Sequence, residues 1–433
     1  MKKWMLVVGT MLFSFVATAK PIAIVGGTVH TMGPMGTLEN AVVLIDDGKI
    51  VLITSKSAVP DDYILIDASG KIVTPGLFGA LTSLGLVEVG MSAGSIDSSV
   101  VHGEERANPV SSVGAALDVQ YGFNPDSTLI PISRVEGITA AATGISRGDY
   151  MFNGQGAIVS LSGHFDSLIK TNAFMHVDVS SNVSDSHGGS RAALWVSIEQ
   201  SFAEAASIRK VSGFAAYMPR MEWHGMTTRP DAEALLSVLN GNMPLLFTAD
   251  RAADILQVVK FKERNPSINV VLVNAVEAWR VAEALAQADI PVILNPENNL
   301  PGGFDQLGAT LTNAARLHTA GVQVSIGMET HNIRLATQHA GNAVANGLPW
   351  HAGLASLTIN PARIYGVDEL LGSLEPGKQA DVVVWSGDPL EVTSHAEVVF
   401  IKGEQMSNET RQHKLRDRYM KLNQQTPMTH VRP

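Results

Sequence analysis

The chain has 433 residues, a formal charge of −10 and no cysteine. Apolar residues make up 45% and charged residues only 17%, so a sizeable core can be buried, and the length suits one large domain plus a lesser one. No basic patch interleaved with aromatics is present, which excludes the usual nucleic-acid footprint, and without cysteine there is no disulfide, thiol nucleophile or thiolate ligand.

Residues 1–19 read as an export signal. Lys2 and Lys3 precede an apolar run from Trp4 to Val16, and Ala17-Thr18-Ala19 is a small-residue cleavage box. The run is too short to span a bilayer. The mature chain is therefore expected to begin at Lys20 and to be secreted, into the periplasm if the source is Gram-negative. Removing the two lysines takes the formal charge to −12. No later stretch approaches membrane-spanning length, so no membrane association is expected after cleavage.

Residues 21–73 read as short strands. Asp46-Asp47-Gly48 between Ala41-Val-Val-Leu-Ile45 and Lys49-Ile-Val-Leu-Ile53 is a hairpin signal, because glycine accepts the positive φ of the turn. Residues 85–135 are rich in Gly and Ser and read as a long excursion over a barrel mouth. Apolar strands then alternate with helical patterns. The strands are expected near 138, 157, 244, 269, 290 and 323, and the helices at 231–240, 251–264, 277–287, 305–319 and 335–346. Pro230-Asp231 opens one helix, with Asp as a first-turn or cap residue. Buried strands each followed by a helix argue for a parallel sheet covered on both faces. The fold class is α/β: a (β/α)₈ TIM-like barrel over 75–365. A small β-sandwich is built from both chain ends, 20–74 plus 366–407, and 408–433 form a polar tail.

Three segments carry a family likeness. They are Ile24-Val-Gly-Gly-Thr-Val-His-Thr31 with the later Asp-Gly-Lys-Ile, Pro75-Gly76-Leu77, and Leu357-Thr-Ile-Asn-Pro-Ala-Arg-Ile-Tyr-Gly366 followed by Gly372 to Val384. On these the chain resembles the amidohydrolase superfamily, in particular its imidazolonepropionase-like and prolidase-like secreted members. The resemblance implies hydrolysis of C–N bonds at a barrel mouth, usually on zinc. It also implies where the ligands should stand, and there the chain departs. The two histidines of strand one are placed at Ala80 and Thr82. The strand-four candidate, 211–217, holds no Lys or Glu. Thr248 stands at the strand-five histidine and Asn274 at that of strand six. Strand eight has Glu329 near the family's Asp, with His331 beside it. Threonine and asparagine are poor zinc ligands, so no metal is expected.

The candidate catalytic residues are accordingly Glu329, His331 and Asp250, the last as a general acid or base after strand five. Thr82, Thr248 and Asn274 are candidate binding residues, expected to converge with Glu329 in one pocket. His164-Phe-Asp166 and His176-Val-Asp178 share the Glu-x-His spacing and read as solvated loop residues. Gly90 to Gly94 and Gly144 to Gly148 both match G-x-S-x-G, but neither shows the strand-turn-helix context of a nucleophile elbow. Two readings stay open: a C–N hydrolase with a degenerate metal site, or an inactive homologue serving as a ligand-binding or partner subunit. The expected partner is a small molecule. Homo-oligomerisation or pairing with an active homologue stays open.

Overall fold

The computed structural model describes residues 20–55, 59–89, 95–100, 111–148, 150–210, 225–328, 331 and 333–420. The expected export signal lies outside them. No helix among the described residues is long and apolar enough to cross a membrane.

The chain opens with β1 (Ile22–His30), β2 (Thr37–Asp46), β3 (Lys49–Thr54), β4 (Ile64–Asp67) and β5 (Ile72–Pro75). The hairpin between β2 and β3 turns at Asp47 and Gly48, with φ of 47° and 72°. Positive φ at both central residues matches the strand twist, as the sequence implies. At the other end come β16 (Val382–Trp385), β17 (Ala396–Ile401) and β18 (Glu404–Gln405). β16 pairs antiparallel with β5, which joins the two chain ends. Its order is β18-β17-β16-β5-β1-β2-β3, with β4 also on β1. The expected sandwich is thus, in hydrogen-bonding terms, one continuous sheet. Ile24, Val43, Ile45, Ile50, Val73, Leu374, Val382, Val384 and Phe400 are buried together as its core.

The second sheet contains β6 (Leu77–Thr82), β8 (Ile138–Thr143), β10 (Phe152–Ser160), β11 (Leu168–Asp178), β12 (Leu245–Ala249), β13 (Val270–Asn274), β14 (Val292–Ile293) and β15 (Val324–Ser325). They follow that order around a nearly closed barrel. The seam is bridged where Leu81 meets Met328 and the Ala80 amide donates to the Gly327 carbonyl at 2.9 Å. A short pair outside the barrel joins β7 (Ser99–Val100) to β9 (Arg147–Gly148).

The barrel is not wholly parallel. β10 runs antiparallel to both β8 and β11. The connections 144–151 and 161–167 are too short for a crossover helix, so these three strands form hairpins. From β11 onward every pairing is parallel, with helices Ala252–Arg264, Ala282–Gln287 and Asn313–Thr319 between strands. The expected strand-four segment 211–217 lies outside the described residues. The place beside β12 is taken by β11, which corrects that assignment.

The barrel interior is filled by Phe78, Ala80, Ala142, Ile158, Phe174, Leu246, Val273 and Ile293. Tyr365, after the short helix Ile359–Ile364, packs into the same cluster. It lies 5.3 Å from the Phe174 ring, and its hydroxyl donates to the Ala80 carbonyl. Helix Arg229–Leu239 is held by a capping box between Thr228 and Asp231, with Pro230 in its first turn. The Asp231 carboxylate also accepts from Ser111, Ser112 and Ala116, which fastens the described end of the excursion to this helix.

Candidate functional site

In a β-strand successive side chains alternate between faces, so interior neighbours identify the inward residues. Phe174 and Leu246 are in the barrel interior, whereas Val177, Phe247 and Ala249 belong to the outer core. His176 and Asp178 on β11, and Thr248 and Asp250 at the end of β12, therefore point inward at the carboxyl ends of the strands. Barrel active sites lie there. Asp178 stands opposite Thr248 in the β11–β12 register.

His176 is buried. Its Nε2 lies 2.8 Å from the Thr248 hydroxyl and its Nδ1 lies 3.3 Å from the Asn153 amide nitrogen. Burial lowers its pKa to about 4, against a weaker opposing pull from the Ile145 carbonyl. The imidazole is accordingly neutral at neutral pH. This corrects the reading of His176 and Asp178 as solvated loop residues. The alternation within Ala173-Phe-Met-His-Val-Asp178 was the available signal. His164 and Asp166 are exposed, as that reading has them.

Asp250 is buried. Its Oδ1 accepts from the Val276 amide at 3.3 Å and its Oδ2 from Gln306 at 2.8 Å. Burial pushes its carboxyl above the usual range, and the charges of Asp178 and Asp305 push the same way. Asp178, half-buried, is raised mainly by desolvation, with the Ser180 amide, donating at 2.7 Å, pulling down. Nearby charges are tied to each other. Arg191 reaches Asp254 at 2.9 Å and Asp305 at 2.6 Å, and Arg251 meets Asp254 at 2.7 Å. Glu277 accepts from the Ala252 and Gly308 amides and pairs with Arg280.

The expected site residues are distributed unevenly. Thr248 and Asp250 are at the mouth beside His176 and Asp178. Asn274 ends β13 opposite Ala249, and it and Ala275 have φ of 66° and 51°. Two successive left-handed non-glycine residues are a strained turn. Thr82 is buried, and its hydroxyl donates to the Ala142 carbonyl at 3.0 Å. No hydrogen bond joins it to Thr248 or Asn274 among the described residues. His331 is half-buried, and Glu329 lies outside the described residues. Ser146 is followed by β9, not a helix, so no elbow forms there; Gly90 to Gly94 lie outside the described residues.

The strand-one placement also shifts. Counting the family pattern P-G-L-I-D-x-H-x-H from Pro75 puts its histidines at Leu81 and Ser83, one residue beyond Ala80 and Thr82. A register shift between Gly79 and Thr82 breaks the simple alternation. Leu81 packs with the interior cluster, and the Ser83 hydroxyl is buried without a partner. Among the described residues, no three His, Asp or Glu side chains come together as a group able to hold a metal ion. A cleft of about 330 Å³ lined by Pro244, Asn269, Asp289 and Gln323 lies at the opposite, amino-terminal end of the strands.

Comparisons with known proteins agree with this architecture. The amidohydrolase family model matches residues 265–407. An amidohydrolase structure from Thermotoga maritima superposes with a TM-score of 0.77 at 26% identity, covering 90% of this chain and all of that one. A molinate hydrolase structure gives 0.55 at 15% identity, over 90% and 95% of the two chains, which speaks to fold alone. Among curated relatives, the amidohydrolase tasK of Hapsidospora irregularis is 47% identical over 57 residues, 13% of this chain and 6% of that protein. A 5-methylthioadenosine/S-adenosylhomocysteine deaminase of Desulforudis audaxviator is 31% identical over 113 residues, 23% of this chain and 25% of that protein. The chain thus spans a quarter or less of these relatives' lengths. With its barrel, its end sheet and its closing sequence block, the chain is similar in fold to the Thermotoga maritima amidohydrolase, and its residues 265–407 match the amidohydrolase family model.

Proposed function

We propose that the protein is an exported hydrolase of small cyclic amides or dipeptides that works without zinc, with Asp250 as its acid–base group. The observation that carries this is the placement of Asp250. It is inward-facing at the carboxyl end of β12, buried, and held by Gln306 and the Val276 amide. A carboxyl raised toward neutral pH suits proton transfer better than an ordinary one. Zinc fits poorly. It takes three or four imidazole, thiolate or carboxylate ligands. The family positions here hold Leu81, Ser83, Thr248 and Asn274, and both nitrogens of His176 are engaged. The chemistry proposed therefore uses no metal. A second reading, a non-catalytic homologue that binds a ligand or pairs with an active partner, is favoured by the same replacements.

The test is elemental analysis after dialysis against a chelator, followed by turnover of an amide and dipeptide panel. The expected zinc content is near zero. Turnover should persist in chelator and fall at least a hundredfold in Asp250→Asn, the low end for loss of an acid–base group. One or two zinc per chain would overturn the metal-free reading. Zinc-free protein with no turnover across the panel points to the binding homologue.

A further inference from the structure

Basic side chains converge away from the mouth, between the end sheet and the barrel helices. A cleft of about 410 Å³ is lined by His30 at the end of β1, His318 in the helix Asn313–Thr319, His351 in the helix Trp350–Ser356 and Arg363 in the helix Ile359–Ile364. That volume lies in the range of small-molecule sites. Arg363 also borders the cleft beside Asn269 and Gln323 at the amino-terminal ends of the strands, so this site is on the barrel floor. The chain carries 41 acidic against 31 basic residues, yet no Asp or Glu is among the described residues that line the cleft. The His30 and His351 rings lie 5.8 Å apart, edge to face, and the Trp350 ring is 4.6 Å from His30. Burial, and then the charge of His351, lower the His30 pKa against weaker pulls from Glu39 and Asp388. Arg363 is exposed and forms no hydrogen bond or ion pair among the described residues. The acids nearby are engaged elsewhere. Glu39 accepts from the Thr28 hydroxyl at 2.6 Å and Asp388 from the Trp350 indole at 2.8 Å. Glu375 feels the Arg363 charge but is held by Ser373 at 2.6 Å and Lys378 at 2.9 Å. An arginine beside three imidazoles is repulsive whenever one of them is protonated, and no lining carboxylate offsets it.

We propose that this floor cleft binds a small organic anion, a phosphate monoester or carboxylate on a short apolar body. The oxyanion meets the Arg363 guanidinium, whose planar fork matches two oxygens at once, and the His318 and His351 imidazoles add N–H donors. Phosphate and carboxylate share this recognition. The body lies against Met32, Ala352, Ala355 and Ile359 of the same lining. The site is separate from the mouth, so its ligand is not the compound turned over there. His30 and Met32 come from β1 and the turn after it, whereas His318, His351 and Arg363 come from barrel helices. A bound anion therefore ties the end sheet to the barrel and stabilises the fold by mass action.

The experiment titrates the full mature chain with hexyl phosphate and with hexanoate by calorimetry. Hexanol is the uncharged comparison, and phosphatidylglycerol vesicles offer a phosphate headgroup from a lipid surface. At least one of the two soluble anions should bind and raise the melting temperature, and hexanol should bind at least about tenfold more weakly. Arg363→Gln should weaken anion binding about tenfold or more, the effect of one lost charge-assisted hydrogen bond. His351→Gln should weaken it about threefold or more. Lys260→Gln removes an exposed charge outside the cleft and should change it less than about twofold. Thermal melts check that each variant folds. No binding of either anion up to about 10 mM overturns the proposal. So does equal binding of hexanol, binding unchanged in Arg363→Gln or in His351→Gln, or binding to the vesicles alone. None of these results bears on zinc content or turnover, so failure here is distinguishable from failure of the metal-free hydrolase reading.

Discussion

Asp231 offers the sharpest test of how the mouth is assembled. Its side chain is fully buried at the start of helix Arg229–Leu239. The carboxylate accepts from the Ser111 and Ser112 hydroxyls, the Ser112 and Ala116 amides, and both the amide and hydroxyl of Thr228. One charge therefore satisfies the helix cap and pins residues 111–116. Hydrogen bonds to a charged group contribute about 1.5–3 kcal/mol each, and they do not add fully when they share one acceptor. Losing the cap alone costs about 1 kcal/mol. Asp231→Ala leaves several buried donors unpaired and should cost about 4 kcal/mol, whereas Thr228→Ala should cost about 1. Urea unfolding gives the loss, and limited proteolysis should show earlier cleavage between 111 and 120. The pH dependence has a definite sign. Burial raises the Asp231 carboxyl, but the bonds from Ser111, Thr228, Ala116 and Ser112 together outweigh it and hold the pKa below its ordinary value. Its contribution is then complete above about pH 4 and is lost as pH falls through the lower folded value. Asp231→Asn should remove that part of the acid sensitivity. A loss below about 1 kcal/mol for Asp231→Ala, with unchanged proteolysis, would refute the clasp.

Other outcomes follow from single contacts. Tyr365→Phe leaves the buried Ala80 carbonyl without its donor and should lower stability by about 1–2 kcal/mol in denaturant titration. Gly156→Ala would place a Cβ 1.9 Å from the Phe174 ring inside the barrel, so a loss of about 2 kcal/mol or more, or insoluble protein, is expected. His176 is held neutral, with its pKa lowered to about 4 from 6.5. The unfolded chain takes up that proton first as pH falls, so stability complete above pH 6.5 is lost toward pH 4. Comparing His176→Gln with the native chain over that range should reveal about 3 kcal/mol less acid sensitivity. Amino-terminal sequencing of exported protein should begin at Lys20; a retained Met1 would sink the export reading.

The fold was legible where local signals agreed. The Asp47-Gly48 turn, the strands at 244–248 and 269–273, and the helix opened by Pro230-Asp231 all stand where turn chemistry and periodicity put them. The family block ending at Val384 marked the strand that joins the two chain ends. Legibility failed where pairing partners are set by the whole barrel. Nothing local in 152–178 says that β10 runs backwards. An apolar run at 211–217 therefore took the place that belongs to β11, and His176 and Asp178 were left out of the mouth. At strand one, counting the pattern from Pro75 puts the family positions at Leu81 and Ser83, and the register shift between Gly79 and Thr82 leaves simple alternation unable to say which of these residues face inward. Thr248 was singled out by its family position and Asp250 by its place after strand five, and the regular pairing of β12 keeps the two on one face.

The charges around the mouth sort into two sets. Arg191, Arg251, Asp254, Asp305, Glu277 and Arg280 are joined to each other and to helix or loop amides. They link the helix Arg191–Lys210, the first turn of Ala252–Arg264 and the segment around Phe304–Gln306. Such groups are committed to holding loops together and have little capacity left for a ligand. Asp178 and Asp250 differ: neither forms an ion pair among the described residues, both face the barrel interior, and both are raised by burial. With the neutral His176 imidazole and the Asn153 and Thr248 side chains, they give a mouth lined by hydrogen-bonding groups. An amide is matched by such a surface on both its polar edges. A phosphate or carboxylate is matched less well, because each would meet the Asp178 and Asp250 carboxyl groups, neither of which is ion-paired among the described residues.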